Sequence, residues 1–286
     1  ALNSTGNIAL GNGSNGGLAQ NYTLSGGTHN LTISQRPLDI SGTKVYDGNT
    51  IGEVAELSLT NSSGGSTGLV DGDSDGNFET LTLGGSSVTI GNKDVANSPT
   101  TITNAASRLT KSNGSNGGLA NNYSFSGGTH AFTVTTKQVN FSRVYNDLNT
   151  VAGSNLNSTL TTSDTIGSET LTMTGSGSVG SQNHSGSTQS ITLGTLSLGN
   201  GTNGGLASNY TLSGSSLTIN KRPLDLNGSK IYDGNTNAAN SILTASNFAT
   251  DSTTGNPETL GLSGTATISS KNAGSRPITN AASALT

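Results

Sequence analysis

The sequence contains no cysteine and no tryptophan, and only 10% of its 286 residues are charged. Without cysteine the chain can form neither a disulfide framework nor a thiolate metal site. The absence removes the disulfide argument for secretion, but it does not favour the cytoplasm. The compartment therefore has to be inferred from other features.

Charge and long apolar runs are also scarce. The formal net charge is −4 and the isoelectric point is about 5.2, so the chain lacks the basic stripe that a phosphate backbone requires, and nucleic acid is not expected as a partner. No apolar run approaches the roughly 18 to 20 residues that cross a bilayer. The chain also begins without a charged and then apolar signal segment, so we expect no membrane insertion and interpret the sequence as a mature or excised segment.

Glycine, with 41 residues, stands beside abundant serine, threonine and asparagine. The sparse apolar residues alternate with hydroxyl residues, as in Leu81-Thr82-Leu83 and Leu217-Thr218-Ile219. This period of two predicts short strands with one wet face, and threonine suits such strands because its β-branch restricts χ1. An all-β chain with narrow hydrophobic cores is expected.

Three motifs recur along the chain and show that it is a tandem array. The motif Lys-Val-Tyr-Asp-Gly-Asn-Thr at 44–50 returns at 230–236 with isoleucine in place of valine and, more strongly altered, at 143–150. The other two motifs are Asn-Gly-Gly-Leu-Ala-x-Asn-Tyr (15–22, 116–123, 203–210) and Glu-Thr-Leu (79–81, 169–171, 258–260). The tyrosines of the first motif lie 99 and 87 residues apart, so each repeat has the size of a small domain.

Basic junctions at Arg36, Lys137 and Arg222 divide the array into two full and two partial repeats. The predicted units are the C-terminal part of a repeat (1–34), two full repeats (35–136 and 137–220) and the N-terminal part of a repeat (221–286). Either the chain is a window on a longer array, or the split repeat is completed between neighbouring molecules by strand exchange, which would build a homopolymer filament. The neighbouring repeats are in either case the first expected partners.

Turn signals between the strands set the expected fold. Pairs such as Asn12-Gly13, Gly117-Gly118 and Asp233-Gly234 tolerate the positive φ of tight hairpin turns, which predicts antiparallel connections and about six to eight strands per repeat. We therefore expect elongated antiparallel β-sandwich-like repeats. A continuous β-solenoid is the alternative, although no coil period of about 20 to 30 residues is present. The junctions lack flexible spacers and two contain proline, which predicts a stiff rod.

The order of these motifs, from Arg-Pro-Leu-Asp through Lys-Val-Tyr-Asp-Gly-Asn-Thr and Glu-Thr-Leu to Asn-Tyr-Thr-Leu, resembles the YDG repeat of very large bacterial surface adhesins over the whole chain. Those proteins are similar to filamentous haemagglutinins exported by two-partner secretion. The resemblance implies an extracellular stalk on the bacterial cell surface. The middle repeat departs from the pattern at Tyr145-Asn146-Asp147-Leu148, which lacks glycine after aspartate, so we expect its turn to be rebuilt.

All six tyrosines fall within the two tyrosine motifs. They are Tyr22, Tyr46, Tyr123, Tyr145, Tyr210 and Tyr232. Exposed tyrosines could stack on sugar rings, but in a chain with so few aromatics a side chain of about 200 Å² is also the largest apolar group that a thin core can bury. We predict a structural core role for all six.

One acidic segment could bind calcium. Asp71, Asp73 and Asp75 alternate in a glycine-containing loop, as in the first half of an EF-hand, and carboxylate oxygens at alternate positions can converge on one cation. The twelfth position is Thr82 instead of glutamate, and no other repeat has the triplet. A solvated acidic loop is therefore the alternative, and no other cofactor is expected.

Catalysis is not expected. His29, His130 and His184 lack ligand spacing, and no nucleophile with its base or phosphate-cradling loop is recognisable. We therefore expect a structural stalk or fibre segment of a secreted surface adhesin, which holds a binding region away from the cell or builds a filament. The alternative is a module that binds host or matrix glycans, which predicts an exposed aromatic or acidic patch in every repeat.

Overall fold

The computed structural model describes residues 8–62, 65–72 and 76–285, and it is mostly short β-strands arranged in small sheets. The described residues form no closed barrel. The all-β prediction is confirmed at this level. No helix among these residues is long and apolar enough to span a bilayer.

The two full repeats have corresponding strands. Those of the first are β1 (Arg36–Pro37), β2 (Ile40–Val45), β3 (Ile51–Gly52), β4 (Leu57–Leu59), β5 (Leu81–Gly85), β6 (Val88–Thr89), β7 (Thr100–Thr101), β8 (Leu109–Asn113), β9 (Tyr123–Ser124) and β10 (His130–Thr135). Those of the second are β11 (Lys137–Gln138), β12 (Phe141–Val144), β13 (Thr150–Ala152), β14 (Leu160–Thr161), β15 (Leu171–Thr174), β16 (Ser176–Ser178), β17 (Thr188–Ser190), β18 (Ser197–Asn200), β19 (Tyr210–Thr211) and β20 (Ser216–Asn220).

The last, partial repeat has fewer strands, and helices are confined to single turns. The remaining strands are β21 (Asp225–Gly228), β22 (Asn237–Ala239), β23 (Leu243–Ser246) and β24 (Thr265–Thr267). The α-helical turns are α1 (Ala105–Arg108) and α2 (Ala281–Ala284). The 3-10 turns are Ala19–Asn21, Val54–Glu56, Val95–Asn97, Ala120–Asn122, Gly153–Asn155, Ala207–Asn209 and Asn240–Ile242.

The main sheet of each full repeat is mixed, which corrects the antiparallel prediction. Its strand order is β4-β2-β10-β7 in the first repeat and β14-β12-β20-β17 in the second. The opening strand pairs in parallel with the closing strand of the same repeat, β2 with β10 and β12 with β20. Turn residues report only on strands joined by a short connection, whereas a parallel pair needs a long crossover, here most of a repeat. In the described parts of the chain, each strand pair joins two strands of the same predicted unit.

The closing strand seals the core of each full repeat. In β10, Phe132 and Val134 point inward and are buried, while Thr133 and Thr135, which alternate with them, are exposed. Phe132 lies directly on Gly42 of β2, where a Cβ atom would come within 2.4 Å of the phenyl ring. Leu217 and Ile219 of β20 are buried at the corresponding positions of the second repeat. The alternation predicted from sequence is therefore the inside-outside pattern of these strands.

The Asn-Gly-Gly segments form tight turns, as their sequence predicts. Both central residues adopt positive φ at Asn15-Gly16, Asn116-Gly117 and Asn203-Gly204. This is the conformation of a type I′ turn, which glycine and asparagine adopt at low cost. The three equivalent turns each precede a 3-10 turn and then the tyrosine of the same motif.

Candidate functional site at the joints between repeats

The Tyr-Asp-Gly loop after β2 is closed from inside by a lysine. The buried ammonium of Lys44 donates hydrogen bonds to the Asn49 backbone carbonyl (3.1 Å), the Asn49 side-chain oxygen (3.0 Å) and the Ile51 carbonyl (2.6 Å). Asp47 pairs with the same ammonium at 2.9 Å. Because every proton of the ammonium has an acceptor, the loop is held in one shape that presents Tyr46 at its start.

The middle repeat builds the same loop from other residues. Arg143 replaces the lysine and donates to the carbonyls of Leu148 and Thr150, while Asp147 has a φ of 56° where Gly48 has 79°. The turn is therefore kept in shape, not rebuilt as expected, because aspartate is among the few residues that tolerate the left-handed region.

Glu169 connects the first full repeat to the second. Its carboxylate is buried and accepts hydrogen bonds from two phenols: Tyr46 of the first repeat at 2.7 Å and Tyr210 of its own repeat at 2.5 Å. The two tyrosine rings meet edge to face, with centroids 5.5 Å apart. Charge-assisted hydrogen bonds of this kind are about twice as strong as neutral ones, so one carboxylate holds two repeats together.

Lys93 compensates part of the buried charge. Its ammonium lies 3.8 Å from Glu169 Oε1, donates to the Tyr46 hydroxyl at 3.2 Å and lies 5.6 Å from the centre of the Tyr46 ring. A buried carboxylate without such partners would be costly. The joint is thus a small polar network surrounded by aromatic rings.

An asparagine makes a second contact across the same joint. Asn209, which is fully buried, accepts a hydrogen bond from the Val95 backbone amide at 2.9 Å and donates one to the Asp94 carboxylate at 2.9 Å. Gly48 also faces Ile166 of the following repeat, and a Cβ atom there would come within 2.6 Å of the isoleucine Cγ2. The glycine of the Tyr-Asp-Gly motif therefore permits both the positive φ and the close approach of the next repeat.

The joint between the second and last repeats follows the same plan. Tyr145 donates to Glu258 at 2.6 Å, as Tyr46 does to Glu169. The Asp147 carboxylate accepts the Ser252 backbone amide at 2.7 Å, and Arg222 donates to the Tyr145 carbonyl at 3.4 Å. Aspartate at the glycine position thus adds a hydrogen bond between repeats.

The three copies of the Glu-Thr-Leu motif show one pattern. Each glutamate accepts the phenol of the Asn-Tyr motif in its own repeat and the phenol of the Tyr-Asp-Gly motif in the preceding repeat, wherever the sequence includes that motif. Glu79 bonds Tyr123 at 2.6 Å, Glu169 bonds both kinds of tyrosine, and Glu258 bonds Tyr145. In the sequence alone, these glutamates indicate only the period of the repeat. Their recurrence in a chain so poor in charge was the signal that they pair with the tyrosines.

The environment of the phenols raises their pKa values. Burial, followed by the hydrogen bond to Glu169, raises the pKa of Tyr46 and of Tyr210 well above the ordinary 10.0. For Tyr145 the hydrogen bond to Glu258 is the larger cause of a raised pKa and burial the smaller. Burial, and then the hydrogen bond to Glu79, raises the pKa of Tyr123. The phenols are therefore held as hydrogen-bond donors.

The predicted core tyrosines divide into two groups. Tyr46 and Tyr123 are each 1% exposed, Tyr210 is 4% exposed and Tyr145 packs half-buried against the core. Tyr22 is 70% exposed and Tyr232 is 62% exposed, so the structure does not place these two in a core. By the pattern of the other copies, Tyr22 would pair with a glutamate of its own repeat and Tyr232 with a glutamate of the following repeat, and neither glutamate is among the 286 residues.

The other candidate residues are not brought together. Asp71 accepts the Gly76 backbone amide at 2.9 Å, while Asp73 and Asp75 lie outside the described residues, so calcium binding stays a prediction. Within the described ranges no three acidic or histidine side chains cluster as metal ligands. The three histidine rings each lie within hydrogen-bond distance of a backbone carbonyl.

Comparison with known proteins gives one family match. A sequence model of the YDG domain matches residues 216–286, a segment that contains Tyr232-Asp233-Gly234 and begins with β20, which in the structure belongs to the sheet of the preceding repeat. No curated protein and no solved structure matches the chain. The family match supports a YDG-type repeat in the last quarter of the chain.

Proposed function

We propose that this chain is a structural stalk or fibre segment of a secreted bacterial surface adhesin, in which YDG-type repeats are joined stiffly and hold a binding region away from the cell. The observation that carries the proposal is the buried Glu169 carboxylate, which accepts one phenol from each of two neighbouring repeats. A joint of this kind fixes the direction of one repeat relative to the next, and a series of such joints makes a rod.

The energetics favour a closed joint. Separating the repeats would break the Tyr46–Glu169 hydrogen bond, and a hydrogen bond to a charged group contributes about 1.5–3 kcal/mol. It would also unpair Asn209, which has two further bonds across the interface. A stalk has to transmit force and direction through each boundary between repeats. These hydrogen bonds connect the two repeats directly, without a linker.

The alternative function, recognition of glycan or matrix by each repeat, has less support. Tyr46 and Tyr145, which could have stacked on sugar rings, instead donate their hydroxyls to glutamates of the next repeat. Their rings are consequently committed to the joints. A glycan array probed with the purified chain tests this alternative, and binding that survives Tyr46→Phe and Tyr145→Phe would favour it.

Joint stiffness is measurable by spin labelling, because the chain has no native cysteine. Ser58 and Thr161 are exposed residues of β4 and β14, which are corresponding strands of neighbouring repeats. With both replaced by spin-labelled cysteine, double electron–electron resonance should give one narrow distance distribution. Glu169→Gln should broaden it, since the carboxylate that pairs both phenols is lost.

Glu79→Gln is the matched control. Glu79 accepts the hydroxyl of Tyr123 as Glu169 accepts that of Tyr210, but Glu79 has no hydrogen bond to a tyrosine of a preceding repeat in this chain. This variant should leave the distribution narrow. A broad distribution in the parent chain would refute the stiff stalk. The surface location is a separate question, for which protease added to intact cells that express the parent protein should remove the repeats.

A further inference from the structure

The cation inside the Tyr-Asp-Gly loop has a carboxylate partner in two repeats but not in the middle one. Lys44 pairs with Asp47 at 2.9 Å, and the last repeat has the same ion pair at 3.0 Å. In the middle repeat Asn146 stands at the position of this aspartate, so the corresponding cation, Arg143, lacks the partner. Its guanidinium forms no ion pair with any carboxylate in the described part of the chain.

Arg143 is nevertheless enclosed by protein, with only 6% of its surface exposed. Its terminal nitrogens donate to the carbonyls of Leu148 and Thr150, but its Nε is buried and has no hydrogen-bond partner. Asp147, the one acid of this loop, accepts the Ser252 amide of the next repeat instead. Burial without a compensating charge lowers the pKa of the Arg143 guanidinium. An anion beside this cation would offset the cost of burying it.

A cavity of about 340 Å³ adjoins this guanidinium. Arg143 forms part of its wall, together with Arg222 from the junction to the last repeat. The described residues that line the cavity include no aspartate or glutamate, whereas serine, threonine and asparagine are present as Ser158, Thr159 and Asn146. A cleft lined by charges of one sign concentrates ligands of the opposite sign. The cavity is therefore suited to an anion.

The opening of this cavity is a property of the Tyr-Asp-Gly loop and does not depend on the length of the repeat that follows. Val144 lines the cavity and is 44% exposed. Its counterpart Val45 is 55% exposed, although a full repeat follows it. What distinguishes the middle repeat is thus the charge beside the cation, since Asp47 neutralises Lys44 at the first joint and Asn146 leaves Arg143 unpaired.

We propose that this cavity binds an acidic sugar, with the sugar carboxylate paired with Arg143 and Arg222. The carboxylate would supply the negative charge that Asn146 does not, and the ring hydroxyls would bond to the hydroxyl and amide side chains of the wall. Arginine suits this task because its planar fork of N–H donors matches a carboxylate. The volume also falls within the range of about 300–1,000 Å³ that is usual for small-molecule sites.

Glucuronate is the probe for this site. In a titration of the full chain at constant ionic strength, followed by nuclear magnetic resonance, the Nε–H signal of Arg143 should shift and saturate. Asn146→Asp places an internal carboxylate where the first repeat has Asp47, so it should weaken glucuronate binding at least tenfold. The same variant should melt at a higher temperature, because the buried cation gains a partner. A loss of binding with a gain in stability cannot be attributed to misfolding.

Three controls complete the experiment. Asn122→Asp adds the same charge at an exposed position of the first repeat and should leave binding unchanged. Glucose presents the neutral ring and sulfate presents an anion without a ring, and both should bind at least tenfold more weakly than glucuronate. Sulfate that binds as tightly as glucuronate, a signal that does not saturate, or equal binding by Asn146→Asp and the parent chain would each overturn the proposal. These outcomes are independent of the stiffness measured by spin labels.

Discussion

Replacing Glu169 with glutamine should open the joint between the two full repeats far more often. Glutamine keeps the shape of the side chain and one carbonyl oxygen that can accept a phenol. Its NH2 group, which is a donor, replaces the oxygen that accepts the second phenol. The change loses one charge-assisted hydrogen bond and weakens the other, a loss of about 2–4 kcal/mol. Removing a buried charge returns part of this because the neutral amide is easier to desolvate, so we expect a net loss of about 2 kcal/mol.

The Val95 amide is a direct reporter of that opening. It donates its hydrogen bond to Asn209 across the joint, so its hydrogen exchange requires the repeats to separate locally. A loss of about 2 kcal/mol corresponds to ~30-fold faster exchange. Exchange read by mass spectrometry at one amide also avoids the assumption that a multi-repeat chain unfolds in one step.

The control variant sharpens this prediction. Glu79→Gln makes the same chemical change at the equivalent motif of the first repeat, away from the joint, and should leave Val95 exchange unchanged. A cycle with Tyr46→Phe should give a coupling of about 1–2 kcal/mol between phenol and carboxylate. Val95 exchange that rises less than threefold in Glu169→Gln would refute the reasoning that this carboxylate holds the repeats together.

Three further predictions concern the same joint. The two phenols that donate to Glu169 have raised pKa values, so their contribution to stability is complete below the unfolded value of about 10 and is lost as the pH rises through the folded values; replacing both with phenylalanine should flatten the alkaline loss of circular dichroism. Asn209→Asp should place a second carboxylate beside the Asp94 carboxylate of the preceding repeat and speed Val95 exchange about 10- to 100-fold at pH 7. Asn122 is the exposed equivalent in the first repeat, so Asn122→Asp should leave Val95 exchange unchanged. Gly48→Ala should cost about 1–2 kcal/mol for its positive φ, plus a clash that Ile166→Ala relieves, as measured by thermal melting of the single and double variants.

Each of these has an outcome that contradicts it. An unchanged alkaline transition in the double phenylalanine variant would show that the phenols are not linked to stability at high pH. Equal effects of aspartate at positions 209 and 122 would show that burial at the joint is not the cause. A melting temperature for Gly48→Ala that Ile166→Ala fails to raise would remove the close approach between repeats as an explanation.

The features that the sequence predicted correctly are those that depend on residues close together in the chain. Alternation with threonine predicted the strands, Asn-Gly-Gly predicted the turns, and the spacing of the tyrosines gave the size of the repeat. The parallel pairing of β2 with β10 was missed because turn signals describe neighbours along the chain, whereas these strands meet only after the chain has passed through most of a repeat.

The sequence identified the tyrosines of the joint between repeats but not the glutamate that they share. Motif counting singled out Tyr46 and Tyr210, but their common partner Glu169 lies 123 residues from one and 41 from the other. A contact between repeats cannot be derived from the pattern inside one repeat. The burial of Tyr22 and Tyr232 was wrongly expected for a related reason: an Asn-Tyr tyrosine is covered by the glutamate-bearing part of its own repeat, and a Tyr-Asp-Gly tyrosine by the following repeat.

Sharing one carboxylate between consecutive repeats has a consequence for how such an array can change in length. Inserting or deleting a whole repeat leaves every boundary with one acid and two phenols, so no bond is lost. A deletion of half a repeat leaves an acid or a phenol without its mate. We therefore expect natural variants of the parent protein to differ by integral numbers of repeats, each step lengthening the molecule by the same increment.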